Sequence, residues 1–455
     1  MKNFSETVQR QREFFATGKT KEVKFRIESL KRLKGWLQNH DADILTALKA
    51  DLNKPPFEAY ATEVGTALDE LKCTLSHIHR WARVKRVSSN LKNFPSSGRI
   101  YPDPYGVTLI MSPWNYPFML TVTPIIAALS AGNCAVVKPS AYSPATSSLL
   151  ARMVAELFDA GHVIVVEGGR EENRALLDEK YDLIFFTGST SVGKTIMQAA
   201  AQHLTPVILE LGGKSPCFVD ATANISLAAK RIIWGKMVNA GQTCVAPDYI
   251  LAHESIKEKL IEAMKVAIRG MYGENPSENP DFPKIINHKH FNRLLGLMDG
   301  EKIVYGGKAN ATTLQIEPTI LDLVEWEVPV MSEEIFGPIM PVLSYSNLET
   351  IFKIVNERPK PLSAYLFTSS KQTERFFLKN LSFGGGCIND TIVHLSVSGL
   401  PFGGVGASGM GSYHGKAGFD AFTHYKSVLH KSKYIDVPLR YPPYTDFALK
   451  LLKKL

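Results

Sequence analysis

The sequence predicts an α/β protein built on a buried parallel sheet of the nucleotide-binding type. Three observations predict it. Between residues 107 and 211, short apolar runs alternate with longer segments of helical period. Strands separated by helices read as βαβ units, and strands apolar throughout read as buried on both faces. A Gly188-Ser189 turn falls between one such strand and helix, and a helix N-terminus is a ready site for phosphate. From Gly212 a second α/β region begins, with a cysteine at a helix-to-strand turn.

Composition bounds the function. The chain has 455 residues, 45% hydrophobic and 21% charged, the usage of a soluble globular protein. Its length suggests two or three domains. The five cysteines are scattered, without C-x-x-C pairs. An odd, scattered set argues against a disulfide framework and a zinc site, so a reducing, cytoplasmic setting and no metal are expected. The first eleven residues lack the apolar stretch of a signal peptide, and no uncharged apolar run approaches the ~18 residues of a membrane span. The net charge of +8 is spread along the chain, and no basic stretch is interleaved with aromatics. Nucleic acid is therefore not an expected partner, and an acidic cofactor accounts for the positive balance equally well.

The elements follow in order. Residues 3–90 read as helical: 24–37 and 43–51 carry apolar residues at three- and four-residue spacing, with Asp41 or Asp43 as a candidate cap. Lys54-Pro55-Pro56 breaks the pattern, and 61–81 resumes it. Residues 93–98 are turn-like and 99–104 extended, which predicts an edge strand or a projecting arm. Strands at 107–111, 134–138, 163–167, 182–186 and 207–211 then alternate with helices at 118–130, 143–158, 171–178 and 191–203. The second region holds a strand at 214–219, a helix at 227–237, a strand at 249–253, a helix at 255–269 and a loop at 272–284, with glycine-rich loops at 384–386 and 402–409.

Five stretches carry candidate chemistry. Cys244 ends Gly241-Gln242-Thr243-Cys244, among small and polar neighbours that leave room for a reactant; the bland alternative is a buried, inert thiol. Glu210 closes an apolar strand, where burial raises a carboxyl toward the pKa of a general base; the alternative is a pair with Lys214. Asn115 sits in Pro113-Trp114-Asn115-Tyr116-Pro117, a rigid turn that could present an oxyanion donor or merely start a helix. Gly188 to Thr195 matches the G-x-x-x-x-G-K-[ST] pattern, and the stretch alone leaves a simple turn, a dinucleotide phosphate site and a P-loop open. Glu333 and Glu334 precede Phe336-Gly337-Pro338 and could cap a turn or reach a ribose.

Set beside Gly241-Gln242-Thr243-Cys244, these stretches strongly resemble the NAD(P)-dependent aldehyde dehydrogenase superfamily, in order and over nearly the whole length. Leu209-Glu210-Leu211-Gly212-Gly213-Lys214 resembles the family's glutamate signature and Gly241-Gln242-Thr243-Cys244 its cysteine signature. The short N-terminus and Leu400 to Gly411, followed by Tyr413-His414-Gly415-Lys416, resemble the class 3 branch, which includes fatty-aldehyde enzymes. The resemblance implies a Rossmann-like cofactor domain (1–85 with 104–211), an α/β catalytic domain (212–420) and a small β oligomerisation arm and tail (86–103 with 421–455). It implies oxidation of a medium- or long-chain aliphatic or aromatic aldehyde to the acid. Cys244 would be the nucleophile, Asn115 and the Cys244 N–H the oxyanion donors, and Glu210 the base that activates water after hydride passes to the cofactor. Lys138, Thr187, Gly188, Ser189, Gly193, Leu211, Glu334 and Phe336 would hold NAD or NADP, and Tyr116 would face the substrate. It further implies a homodimer, the tail being too short to insert stably into a membrane.

One departure bears on the cofactor. Relatives commonly carry Glu after the Lys-Pro-Ser of the adenosine-ribose segment; here Lys138-Pro139-Ser140 is followed by Ala141. Losing that carboxylate removes a repulsion against a 2′-phosphate, so NADP use is favoured. The competing expectations are a P-loop NTPase using Gly188 to Thr195 and a catalytically silent α/β scaffold.

Overall fold

Five of the apolar runs form the parallel part of one sheet in the computed structural model, which describes residues 3–454. Met1, Lys2 and Leu455, the outermost residues assigned to the cofactor region and the tail, lie outside the described residues. The strand order is Val207–Glu210, Leu183–Thr187, Val107–Met111, Cys134–Lys138, Val163–Val165, all parallel. Every residue of Val107–Met111, Cys134–Lys138 and Leu183–Thr187 is buried, which explains continuous apolar runs in place of alternation. The helix Met119–Ala131 is buried along its whole length, as a helix apolar on every side must be, with the Thr121 and Ser130 hydroxyls donating to nearby carbonyls. From Val107–Met111 the chain builds outward through two strands, then returns to that strand's other side for Leu183–Thr187. The carboxyl ends of these two neighbours therefore flank the topological switch point, where open α/β sheets bind their ligands.

Most predicted elements recur with ends moved by one or two residues: 182–186 is Leu183–Thr187, 171–178 is Arg170–Leu177, and 163–167 keeps only Val163–Val165, while the helix of 255–269 runs on to Tyr272 and the helical reading of 3–90 stops at Trp81, because Lys85–Val87 is drawn into a strand. The helix of 43–51 begins earlier, at Asp41, so neither Asp41 nor Asp43 is its cap; His40 is, and both carboxylates sit inside the first turn, where they still favour the helix dipole. Lys54-Pro55-Pro56 breaks that helix as expected: Asn53 turns left-handed, and Pro56 opens a new short helix, Pro56–Ala59.

The second sheet has seven strands in the order Lys302–Tyr305, Thr319–Asp322, Ile339–Tyr345, Tyr249–His253, Pro216–Val219, Ser363–Phe367, Gly385–Ile388. Only Lys302–Tyr305 runs antiparallel. The extended stretch before residue 104 is the middle strand, Ser96–Pro104, of a three-stranded antiparallel arm. Lys85–Val87 lies on one side and Thr423–Lys431 on the other, in register from Thr423↔Pro104 to Lys431↔Ser96.

Before reaching the arm the chain returns to the first sheet. Gly409–Met410 pairs antiparallel with Leu209 and Glu210. The helix Gly415–Ala421 packs on Met119–Ala131, and the Gly415 N–H donates to Glu70 at 2.8 Å. Residues 409–421 thus belong physically to the first sheet's layer. Among the described residues no helix is long and apolar enough to cross a membrane.

Candidate active site

The loop that carries Cys244 is strained and heavily tied. After the helix Ile225–Met237, Asn239, Ala240 and Gly241 take φ of 55°, 50° and 75° in succession. Left-handed backbone costs a non-glycine residue about 1–2 kcal/mol, and such strain persists only where surrounding bonds over-determine it. Here they do. The Asn239 N–H donates to the Glu58 carboxylate at 2.8 Å, and the Gln242 amide donates to the carbonyls of Asn239 and Lys284, both at 3.0 Å. Cys244 emerges from this turn half-buried.

Two cavities meet at its sulfur. One, of about 390 Å³, opens at the switch point; Trp114, Asn115, Thr187, Gly188, Ser189, Gly212, Glu334 and Phe336 help line it. The other, of about 260 Å³, is walled by Tyr116, Leu120, Trp234, Val245, Phe402 and Tyr413 among others. Cys244, Glu210, Thr187 and Leu211 line both. The structure thus brings Cys244, Glu210 and Asn115 to one cavity from three elements distant in sequence.

Burial sets the electrostatics. Glu210 is pinned by its backbone between Thr187 and Gly409 on neighbouring strands. Neither of its carboxylate oxygens has a hydrogen-bond partner among the described residues, and burial pushes its pKa well above the carboxylate range. The pairing with Lys214 considered from sequence does not occur; that amine bonds Asp248 and the carbonyls of Val330 and Glu333. The Cys244 thiol is pushed up to about 12, first by burial, then by the charges of Glu334 and Glu210, against the N–H groups of Cys244 and Val245. Glu334 is raised to about 8, chiefly by burial and then by Asp248, against the Gly213 N–H, Lys214 and Lys236. The Asn115 amide donates to the Gln242 carbonyl at 2.9 Å, and the Tyr116 hydroxyl bonds Thr243 Oγ1 at 2.6 Å.

The switch-point crevice suits a dinucleotide better than a P-loop does. Only Gly188 and Ser189 separate the strand Leu183–Thr187 from the helix Thr190–Ala201. Gly193 and Lys194 already lie within the helix, with Lys194 exposed, so no loop remains to wrap a triphosphate. Ser189 caps the helix through the Val192 N–H, and the buried Thr187 hydroxyl has no partner among the described residues. Across the crevice Phe336 holds φ 51° and meets Trp114 edge-on, ring centres 5.3 Å apart. These groups fit a nicotinamide dinucleotide: an orphaned hydroxyl, a helix N-terminus and an aromatic rim. Two expected contacts stand back from the lining. A Cβ on Gly193 would come within 2.7 Å of Leu211, so that glycine lets Leu211 seat against the helix. The Lys138 amine is spent on the carbonyls of Pro139 and Gly168, at 2.7 and 2.6 Å.

Sequence reasoning missed His290 and Arg293, which reach the same crevice. Arg293 bonds Glu333 at 2.9 Å and the Ile335 carbonyl at 2.7 Å, fixing the segment that carries Glu334 and Phe336. Their three-residue spacing after Asn287, a good capping residue, was the available signal. Tyr413 and His414, quoted only for resemblance, line the apolar cavity.

A cysteine thiol set at the seam of a dinucleotide-type sheet and a second α/β sheet, with a carboxyl and a carboxamide lining the same cavity, has the parts that a dehydrogenase working through a covalent thiol adduct needs. The model of the aldehyde dehydrogenase family matches residues 2–428, and the chain belongs to that family. It is 48% identical over 433 residues to the 4,4′-diaponeurosporen-aldehyde dehydrogenase of Staphylococcus aureus, covering 95% of this chain and 94% of that one. It is 44% identical to the dimeric NADP-preferring aldehyde dehydrogenase of Canis lupus familiaris, covering 97% and 98%. A solved structure described as the substrate-bound state of Staphylococcus aureus AldH superposes with a TM-score of 0.97 at 46% identity, covering 100% of this chain and 99% of that one. The protein is an NAD(P)-dependent aldehyde dehydrogenase, and the NTPase alternative has no support.

Proposed function

We propose that Cys244, Asn115 and Glu210 carry the oxidation, and that the substrate is an apolar aldehyde, medium- or long-chain aliphatic or aromatic. The observation that carries this reading is the convergence of those three side chains on one cavity that opens into a second, apolar one. The Cys244 thiolate adds to the carbonyl carbon. Charge on the carbonyl oxygen falls between the Asn115 amide and the Cys244 N–H, whose value lies in being preorganised. NAD(P), held by the crevice residues, would supply the acceptor for the hydride that the thiohemiacetal loses, and Cys244 would then carry the acyl group as a thioester. Glu210 then takes a proton from water as that water attacks the thioester, and the acid departs with the thiolate restored. Dividing the reaction around a covalent adduct replaces one hard step by two easier ones.

Thr187 and Leu211 flank the nicotinamide in this reading, Gly188 and Ser189 meet the pyrophosphate, and Glu334 and Phe336 hold the ribose. Gly193 acts one layer back by seating Leu211. Tyr116 forms part of the substrate wall. NADP use is supported by Ala141, which is exposed and uncharged, and by the NADP-preferring relative. Lys138, buried and bonded to the Pro139 and Gly168 carbonyls, acts in this reading by holding the turn before Ala141 and not by touching a 2′-phosphate. A homodimer through the arm and tail is supported by the dimeric relative and by the exposed Leu91, Phe94, Tyr434 and Phe447 there. Five free cysteines are consistent with a reducing, cytoplasmic setting.

The decisive experiment compares Cys244→Ala with Glu210→Gln. The first abolishes aldehyde-dependent reduction of NAD(P); the second keeps a single burst of reduced cofactor and loses steady turnover. Persistent activity in Cys244→Ala overturns the reading.

A further inference from the structure

We propose that the buried Lys54–Glu63 pair is a positioning device for the oxyanion donor, a proposal that rests on the role given to Asn115 above. Both side chains are wholly buried, and neither lines either cavity. The Lys54 amine is ion-paired with Glu63 and also donates to the Asn115 carbonyl at 3.0 Å. It lies 3.9 Å from the centre of the Tyr116 ring. The other Glu63 oxygen accepts the N–H groups of Phe118 and Met119 at 2.9 and 3.0 Å, where the helix Met119–Ala131 begins. From the opposite side the Asn239 amide donates to the same Asn115 carbonyl at 2.7 Å.

The Asn115 peptide is thus clamped between the N-terminal helices and the cysteine loop, while its side chain reaches Gln242 in that loop. Desolvating an ion pair is expensive, and apolar residues of equal volume often serve stability as well or better. What apolar residues cannot do is hold a carbonyl in a fixed direction. The Asn115 amide is placed by the backbone that this carbonyl anchors, and a misplacement of about 1 Å near reacting groups costs up to a hundredfold in rate. The pair bonds the Asn115 carbonyl directly and reaches the cysteine loop through Asn115, so its loss bears first on the oxyanion donor.

The test uses the full-length enzyme with Lys54 and Glu63 exchanged together, Lys54→Met with Glu63→Gln. Neither member of the pair is left charged, and the glutamine carbonyl still accepts the Phe118 and Met119 N–H groups; Glu58, which loses the nearby Lys54 charge, is exchanged for Gln in a parallel variant so that its effect is subtracted. Single-turnover aldehyde oxidation is expected to fall about 10- to 100-fold. Alkylation of Cys244 by iodoacetamide, which builds no oxyanion, keeps its rate and its pH profile. In an Asn115→Ala background the same exchange costs less than about threefold, because both changes remove one function. An unchanged single-turnover rate, a shifted alkylation profile, or a full repeat of the loss in the Asn115→Ala background overturns the clamp. If Asn115→Ala alone leaves aldehyde oxidation intact, the oxyanion reading has failed, and the clamp with it. Should the double exchange not fold, Glu63→Gln alone frees the Lys54 amine from its anchor. A single-turnover loss with normal alkylation then supports the clamp, and an unchanged rate overturns it.

Discussion

Gly241 rests directly against the peptide of Gly337: a Cβ on Gly241 would stand 2.2 Å from the Gly337 carbonyl oxygen, at φ +75°. This contact joins the loop that carries the thiol to the segment that carries Glu334 and Phe336, so Cys244 and one wall of the switch-point crevice share a single fit. Gly241→Ala meets two costs together, left-handed backbone and a backbone overlap that no rotamer can relieve. Strain and overpacking of that kind each amount to about 1–3 kcal/mol. The substitution is expected to lower unfolding free energy by about 2–5 kcal/mol in a denaturant titration and to depress turnover. Wild-type stability in that variant would mean the loop moves freely past Gly337.

Glu334 also acts on the thiol through charge. After burial, it is the largest influence holding Cys244 near 12. Glu334→Gln removes that charge, so the thiol ionises at lower pH. At pH 9, above the value of about 8 for Glu334, iodoacetamide should alkylate the variant's Cys244 several-fold faster than the wild type's. An unchanged rate would show that Glu334 is neutral there or faces away.

The same carboxyls make stability depend on pH, with a definite sign. Glu334 is raised to about 8, and Glu210 lies well above the carboxylate range, against about 4.3 in an unfolded chain. The folded state therefore holds these protons more tightly, and unfolding releases them. Their contribution is fully present below pH ~4.3 and is lost as pH rises toward 8 and beyond. The melting temperature should drop between pH 5.5 and 8.5, and drop less in Glu334→Gln and Glu210→Gln. Equal drops in wild type and variants would place these carboxyls in contact with water.

What could be read in the chain, and what could not, follows from the range of each interaction. Cys134–Lys138 matched its predicted bounds because a strand buried on both faces is apolar at every position. Cys244, Glu210 and Asn115 stood out because each lies in a distinctive local context. Gly409–Met410 left no trace, since two residues have no period and their partner lies about two hundred positions upstream. Lys54 figured only as part of the Lys54-Pro55-Pro56 helix breaker, and Glu63 only as one position within the helical run 61–81. Only the tertiary fold buries both and turns them toward Asn115. The lack of a partner for Glu210 among the described residues was equally invisible, because Lys214, four residues on, offered a plausible one.

The cofactor preference is open to a one-residue test. Ala141 is exposed three residues beyond the end of Cys134–Lys138, the strand beside the switch-point strand Val107–Met111. Ala141→Glu would set a carboxylate where the adenosine ribose is expected. Against a 2′-phosphate the repulsion at about 4 Å is near 1 kcal/mol in water and about 4 kcal/mol at a protein surface of lower effective dielectric. An exposed side chain belongs toward the lower figure, so kcat/KM for NADP should fall about five- to tenfold while that for NAD holds or rises through a ribose hydrogen bond. Raising the salt concentration should shrink the NADP loss, as screening weakens an exposed repulsion. If both cofactors lose equally, residue 141 does not face the 2′ position, and the preference is set elsewhere along the crevice.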